Sequence, residues 1–259
     1  MLLLILFLAI IPAIFWFFVF LREEKFDAIP KKLITKVFVI GALSGLLAVI
    51  LEFIAALFFP TSAIKAVFSP NELQKLVFST AVFALILTIC AAAIEELVKI
   101  YTVKWFAYDN FQFNQVVDGA VLGVSAGLGF ATLENVGYFL GAAKEDLGTF
   151  LAVFVVRFLA TTLLHALTTG IVGYYLGKAK FSTDKGVFWE GLLAAILIHA
   201  TFNILLFSGL VLGLVINIIL LIVMLVFLIK RMDSTEAQTI WKLVVFRRPL
   251  SNLPFTKQR

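Results

Sequence analysis

Residues 79–100 read STAVFALILTICAAAIEELVKI, an apolar stretch that contains two adjacent glutamates and a lysine near its end. A segment of about 20 apolar residues is long enough to cross a bilayer as a helix. A glutamate at the centre of such a helix costs about 2.5 to 3.5 kcal/mol. The stretch therefore predicts a membrane-spanning helix, and Glu95 and Glu96 need either a compensating environment or a function.

The rest of the chain has the composition of a polytopic membrane protein. Of its 259 residues, 62% are hydrophobic and 14% are charged, whereas a soluble domain is about half apolar and about a quarter charged. The fold class that we predict is all-α, a polytopic helical membrane protein. We expect about seven transmembrane helices, at roughly 2–20, 37–59, 76–103, 116–142, 150–177, 187–208 and 210–229. The first twenty residues lack a basic start and a small-residue cleavage site, so we interpret them as a retained span.

The basic residues predict how the chain is oriented in the lipid bilayer. Most of the 21 lysines and arginines lie near the ends of the first, third and fifth predicted spans or in the C-terminal tail. The positive-inside rule then places the N-terminus outside and the C-terminus in the cytoplasm. The net charge of +5 is thus explained by orientation and does not indicate a nucleic-acid partner. The single cysteine, Cys90, excludes an intrachain disulfide and a cysteine-rich metal site.

Ionisable side chains inside the predicted spans are few, and several have a polar partner one helical turn away. Lys99 follows Glu96 by three residues and Glu95 by four, so the lysine can reach back to either carboxylate. His199 likewise precedes Asn203 by four. The full set is Glu52, Glu95, Glu96, Lys99, Glu134, Arg157, His165 and His199, with Asp118 near the inner end of the fourth span. At 1.5 Å per residue, the depths of Glu95, Glu134, His165 and His199 allow them to meet in one layer.

A structural role explains some of these residues better than chemistry does. Glu52 fits a hydrogen bond that ties two helices together, and Arg157 fits either a counter-ion or a side chain that extends to the surface. Gly41 and Gly45 indicate close helix packing. If the carboxylates of Glu95, Glu96 and Glu134 were all unpaired, burying them in the membrane would cost on the order of 9 kcal/mol. They must therefore be paired, neutralised, hydrated or bound to a metal.

Carboxylates and imidazoles together suit the activation of water. A glutamate in a low-dielectric pocket can act as a general base, and a histidine can stabilise an oxyanion or transfer a proton. Asn203 can orient His199 or donate a further hydrogen bond. Two histidines and a carboxylate also match a common catalytic zinc site, although the HExxH signature is absent. A zinc site and a metal-free glutamate mechanism both remain open.

Four stretches, in order, resemble the motifs of the PrsW-type intramembrane proteases, distant relatives of the CAAX prenyl endopeptidases. They are EELVK (the EExxK motif), DGAVLGVSAGLGFATLENVGYF (containing FxxxEN), RFLATTLLHALTTGIVGYYLG, and HATFN (HxxxN). The resemblance covers about residues 90–205 and implies an intramembrane endopeptidase. Its substrate would be a membrane-anchored protein, by resemblance a single-pass anti-sigma factor at its first cut.

The resemblance also assigns roles to residues of this chain. The implied catalytic residues are Glu95, Glu96, Glu134, His165 and His199, supported by Lys99 and Asn203. Glu134 stands where the CAAX enzymes have histidine, so a third carboxylate is available to complete a metal site. The implied metal ligands are accordingly Glu95, Glu134, His165 and His199. The implied location is the cell membrane, as a multi-pass protein of the bacterial inner membrane.

We predict one transmembrane protease domain over residues 1–230 and a cytoplasmic tail over 231–259. The tail pattern fits either an amphipathic helix on the inner membrane surface or a solvated segment. Two other functions are also compatible with the chain, and the first of them uses the same intramembrane residues. A proton- or cation-coupled transporter would use them as a relay, although the repeated halves typical of transporters are not evident. A non-catalytic scaffold for membrane segments is the third hypothesis.

Overall fold

The computed structural model describes residues 1–21, 29–68 and 78–246, without the side chains of 21, 66–68, 78–80 and 235–246. These residues form helices joined by short turns, and no strand occurs among them. The elements are α1 (Leu2–Leu21), α2 (Lys31–Ala56), α3 (Thr61–Phe68), α4 (Phe78–Phe106), α5 (Val116–Ala142), α6 (Leu147–Val156), a π-helical turn (Arg157–Thr161), α7 (Thr162–Phe181), α8 (Val187–Phe207) and α9 (Val211–Phe246).

The predicted all-α membrane class is confirmed. Within the described ranges, seven helical segments are long and apolar enough to cross a bilayer. One of them, Leu147–Phe181, joins α6, the π-helical turn and α7 into a single span of 35 residues. The short helix α3 was not predicted, and its eight residues are too few to span a membrane.

Some predicted helix ends are wrong by a turn or more. Helix α2 begins at Lys31, directly after Pro30, whereas the apolar pattern predicts a start near 37. Lysines are tolerated on the terminal turns because their long apolar stems let the charge reach the membrane surface. Helix α9 continues to Phe246 across the predicted boundary at residue 230. The side chains beyond 234 and all of 247–259 lie outside the described residues, so the interfacial tail helix stays a prediction.

Helix α5 lies at the centre of the bundle, and most of its residues are buried. It packs most extensively against α7 and next against α2. Glycines allow these close approaches, because a Cβ at Gly119 would overlap the Gly173 carbonyl of α7. A Cβ at Gly41 of α2 would similarly overlap the backbone of Ala126. The helix-packing role predicted for Gly41 is therefore confirmed.

Polar side chains at the ends of α5 and α6 hold the turns. The Asp118 carboxylate accepts hydrogen bonds from the Asn114 and Gln115 amides at 2.7 and 2.8 Å, and it closes a capping box at the start of α5. Asp146 caps α6, where hydrogen bonds from the Thr149 hydroxyl and amide lower the pKa of its carboxyl group. Asp118 thus has a structural role and lies apart from the intramembrane polar residues.

Candidate active site

The glutamate pair of α4 is held by the lysine one turn later. Lys99 is fully buried, and its Nζ donates to Glu95 Oε2 and to Glu96 Oε1, each at 3.0 Å. The helical spacing predicts both contacts, since residues three and four apart share one helix face. One ammonium group therefore compensates two carboxylates inside the membrane span.

His165 of α7 lies between Lys99 and Glu134. Its Nδ1 is 2.8 Å from Lys99 Nζ, and its Nε2 is 2.7 Å from Glu134 Oε2. An ammonium group can only donate, so Nδ1 accepts from Lys99 and Nε2 carries the proton that it donates to Glu134. The two neighbours together select one tautomer of the ring.

His199 of α8 is oriented by Glu96. Its Nδ1 lies 2.8 Å from Glu96 Oε1, and its Nε2 lies 3.8 Å from Glu95 Oε2. Glu96 also accepts from the hydroxyl groups of Thr168 at 2.9 Å and Thr169 at 3.0 Å. Glu96 is thus completely engaged by protein groups, whereas Nε2 of His199 faces Glu95.

Glu134 of α5 is held from the opposite side by Arg157. The Arg157 Nη2 donates to Glu134 Oε2 at 2.8 Å, and its Nε donates to Asn135 Oδ1. The guanidinium carbon lies 4.1 Å from the centre of the Tyr138 ring, a cation–π arrangement. Of the two roles predicted for Arg157, the structure shows the counter-ion.

The π-helical turn brings Arg157 and His165 onto the same helix face. In a regular α-helix, two residues eight apart lie about 80° away from alignment, and one extra residue in the turn reduces this to about 20°. Within the turn, the Thr162 amide bonds to the Arg157 carbonyl, five residues back. The Trp16 indole donates to the Phe158 carbonyl at 2.8 Å, so α1 supports a turn that aligns two partners of Glu134.

A cavity of about 340 Å³ opens beside these residues. Glu95 and His199 line it together with Asn203, which lies one turn after His199. Glu96 does not line it and is fully buried. The two neighbouring glutamates therefore differ, since only Glu95 faces a space where water or a substrate can enter.

Glu52 of α2 also faces this space. It lines both the smaller cavity and a larger one of about 860 Å³, and both cavities are also lined by Glu95 and Glu134. The hydrogen bonds of the described residues include none to the Glu52 carboxyl group, so the tie between two helices that its sequence suggests is not observed. The two cavities instead meet at three carboxyl groups.

The donor set fits a divalent metal in kind and spacing. Glu95, His165 and His199 each offer one ligand atom, and these atoms lie within 4.8 Å of one another. His199 Nδ1 bonds to a carboxylate, the usual way in which a protein orients a metal-binding imidazole. Glu134, also predicted as a ligand, lies outside this group. Lys99 Nζ occupies part of the same space, because it contacts both Glu95 and His165.

Sequence reasoning missed several residues that support the site. Asn135 is the last residue of the FxxxEN motif, and it fixes Arg157 by accepting its Nε–H. Thr168 and Thr169 were visible only as a polar pair after His165, and both donate to Glu96. The spacing predicts that Thr169 lies one helical turn from His165, but only the tertiary structure shows that both threonines donate to Glu96.

Comparison with known proteins identifies the group to which this architecture belongs. The model of the PrsW family of intramembrane metalloproteases matches residues 29–229. A protein named Protease PrsW from Geobacillus kaustophilus is 31% identical over 191 residues, covering 73% of each chain. A protein of the same name from Bacillus subtilis is 39% identical over 113 residues, which cover 40% of this chain and 49% of the relative. Another from Halalkalibacterium halodurans is 29% identical over 203 residues, which cover 76% of this chain and 81% of the relative. No solved structure matches the chain.

Proposed function

The chain belongs to the PrsW family of intramembrane metalloproteases, and from this membership we propose how it cleaves a membrane-anchored protein. It is an intramembrane protease, and the substrate that the resemblance implies is a single-pass anti-sigma factor. The location that we propose is the bacterial inner membrane. The observation that carries the mechanism is the meeting of Glu95, His165 and His199, from three helices, beside one buried cavity.

Glu95 is the general base in this mechanism. It is the member of the glutamate pair that lines the cavity, and Lys99 Nζ donates a hydrogen bond to it at 3.0 Å. It takes a proton from water as the water oxygen bonds to the scissile carbonyl carbon. It then gives that proton to the leaving nitrogen as the carbon–nitrogen bond breaks, which leaves a carboxylic acid and an amine.

His199 and Asn203 stabilise the negative oxygen that forms during the attack. Glu96 holds Nδ1 of His199, so Nε2 is directed towards Glu95. When the ring carries a second proton, Nε2–H can donate to the oxyanion, and the Asn203 amide of the same cavity can donate beside it. Glu96 has an orienting role in this scheme, together with Thr168 and Thr169.

His165 and Glu134 keep the other side of the site in place. The proton on Nε2 of His165 is shared with Glu134, and Arg157 balances the charge of that carboxylate. These contacts prevent the ring from rotating while Glu95 exchanges its proton. With a metal bound, Glu95, His165 and His199 would hold it in place of the Lys99 contacts, and Glu95 would then be a ligand and not the base. Bound there, an ion such as Zn²⁺ would polarise the scissile carbonyl as a Lewis acid.

The transporter alternative is not favoured. The family match spans residues 29–229, which include five of the seven candidate spans and most of a sixth. Relatives that cover about three quarters of the chain are named as proteases. The intramembrane carboxylates and histidines that suggested a proton relay are accounted for by a site that activates water.

The test is cleavage of a single-pass anti-sigma factor by purified protein in proteoliposomes. We expect Glu95→Gln to lower the cleavage rate by a factor of about 10³ or more, because the variant has no general base. Glu96→Gln keeps an oxygen that can accept from His199, so its cleavage rate should fall less than that of Glu95→Gln. Glu190→Gln is the matched control, because Glu190 is exposed at the start of α8. Cleavage at the wild-type rate by Glu95→Gln would exclude the mechanism.

A further inference from the structure

Helices α2 and α5 run side by side but do not stay in contact along their whole length. They touch where a Cβ at Gly41 would overlap Ala126 and where a Cβ at Gly129 would overlap the Phe38 carbonyl. Further along, Gly45 meets only the flexible end of Leu133. Beyond this point the two helices separate, and the cavity of about 860 Å³ lies between them. We call this cavity the α2–α5 groove.

Two glycines on α5 line the groove, and among the described residues nothing packs where their side chains would lie. A Cβ at Gly137 or at Gly141 would meet no atom within 4 Å. Gly119 and Gly173 differ from them, because a Cβ there would overlap backbone of the neighbouring helix. The absence of side chains at 137 and 141 therefore serves no helix contact in the described residues, and it keeps the groove wide.

The groove is mainly apolar, and it ends at the active site. Its lining includes apolar side chains such as Leu46, Val49, Leu133 and Leu140. One end lies near Glu145 and Thr149, at the turn between α5 and α6, and the other reaches Glu95. The groove shares five lining residues with the smaller cavity, so the two cavities adjoin each other. The shared residues are Glu52, Glu95, Glu134, Tyr138 and Val153.

We propose that the α2–α5 groove binds the apolar residues on one side of the scissile bond of a membrane-anchored substrate. This inference rests on the proposed protease function. A peptide bond that reaches Glu95 has residues on both sides of it, and the two cavities extend in two directions from Glu95. The volume of the groove falls in the usual range of ligand pockets, roughly 300 to 1,000 Å³.

Glu52 supplies a polar contact for the unwound backbone of the substrate. A peptide bond becomes accessible to water only after its helix opens, and the released amide groups then need partners within the membrane. Glu52 lines both cavities and hydrogen-bonds to no other described residue. Its carboxyl group is therefore available to the substrate at the point where the chain crosses from the groove to the site.

Filling the groove tests the proposal. Gly137→Leu and Gly141→Leu place a side chain in open space, and leucine favours helix more than glycine by about 1 kcal/mol, so both variants should fold. Ala194→Leu is the matched control, since Ala194 is exposed on α8 and lines neither cavity. A second block uses Cys90→Ala with Gly141→Cys, alkylated by a bulky maleimide after folding. Thermal unfolding in detergent verifies that each variant is folded.

The readout is photo-crosslinking of the single-pass anti-sigma factor, with a benzophenone residue in its membrane segment, to the inactive Glu95→Gln protein. We expect the leucine and the alkylated variants to lose crosslinking by about tenfold or more, because each excludes at least one apolar side chain from the groove. In proteins that keep Glu95, the same substitutions should reduce cleavage by a similar factor. Ala194→Leu should change neither readout by more than about twofold, and alkylated Gly141→Cys is compared with the same protein before alkylation.

Three outcomes separate the possibilities. Normal crosslinking and cleavage with the groove filled would overturn the proposal while leaving the protease function intact. Loss of bound phospholipid, with crosslinking to the substrate unchanged, would show that the groove holds lipid and would also overturn it. Wild-type protein that crosslinks the substrate through the groove but never cleaves it would support the groove and refute the proposed function.

Discussion

Lys99 is the residue whose loss should most clearly show how the buried charges are balanced. The Lys99→Met variant keeps the apolar stem and removes an ammonium group that contacts Glu95, Glu96 and His165. Breaking a buried ion pair by removing one partner costs about 3 to 5 kcal/mol. Lys99 and Glu96 are both fully buried, and the Glu95 side chain is 10% exposed, so the full range applies. We expect the midpoint of thermal unfolding in detergent to fall by roughly 10 °C.

The double variant Lys99→Met/Glu96→Gln isolates the interaction. Removing both charges leaves only one carboxylate without its partner, so the double variant should be more stable than Lys99→Met by about 1 kcal/mol or more. Lys104→Met is the control. Lys104 is exposed near the end of the same helix, and its replacement should change the free energy of unfolding by no more than about 0.5 kcal/mol. A stability of Lys99→Met within about 1 kcal/mol of wild type would refute the reasoning, and so would purely additive effects in the double variant.

Three further predictions concern other parts of the site and the bundle. Arg157→Met should lower the cleavage rate and change the ¹⁵N NMR shifts that report the His165 tautomer, because Glu134 loses its counter-ion. Unchanged shifts would contradict the positioning role of Arg157. Gly173→Leu should destabilise the protein by about 3 kcal/mol or more in detergent unfolding, because the leucine side chain would overlap the backbone of α5. Wild-type stability of this variant would contradict the close contact between α5 and α7. If Glu95, His165 and His199 hold an ion, removal of the metal by a chelator should abolish cleavage and lower the melting temperature. Elemental analysis is the independent readout. Metal-free protein that remains fully active would exclude a catalytic metal, and only the glutamate mechanism would remain.

Some features of the fold can be read directly from the chain because membrane insertion is a local property. A run of about 20 apolar residues must be helical within lipid, where each backbone amide and carbonyl group needs a partner. This requirement predicts the spans, and the structure has seven of them among its described residues. It predicts helix ends poorly. Charged residues such as Lys31 lower local hydropathy without ending the helix, so α2 begins earlier than expected.

The contacts of the candidate active site are also of two kinds, those set by spacing within one helix and those that depend on the tertiary structure. The contacts of Lys99 with Glu95 and Glu96 follow from spacing within one helix. The contact of Arg157 with Glu134 does not, because it depends on a π-helical turn that has no signature in the residues. An eight-residue separation from His165 would place Arg157 on a different face of a regular helix. Only the structure shows that one extra residue in the turn restores the alignment.

The sequence alone determined that this chain is a helical membrane protein of the PrsW type, and which polar residues it buries, because hydropathy and helical spacing act over a few residues. The packing of α4 against α7 and α8 decided what each glutamate contacts. Adjacent residues on a helix point about 100° apart. One direction leads Glu95 to the cavity, and the other leads Glu96 to Thr168, Thr169 and His199. The α2–α5 groove is likewise a tertiary feature, since it forms where two helices separate and no single segment encodes it.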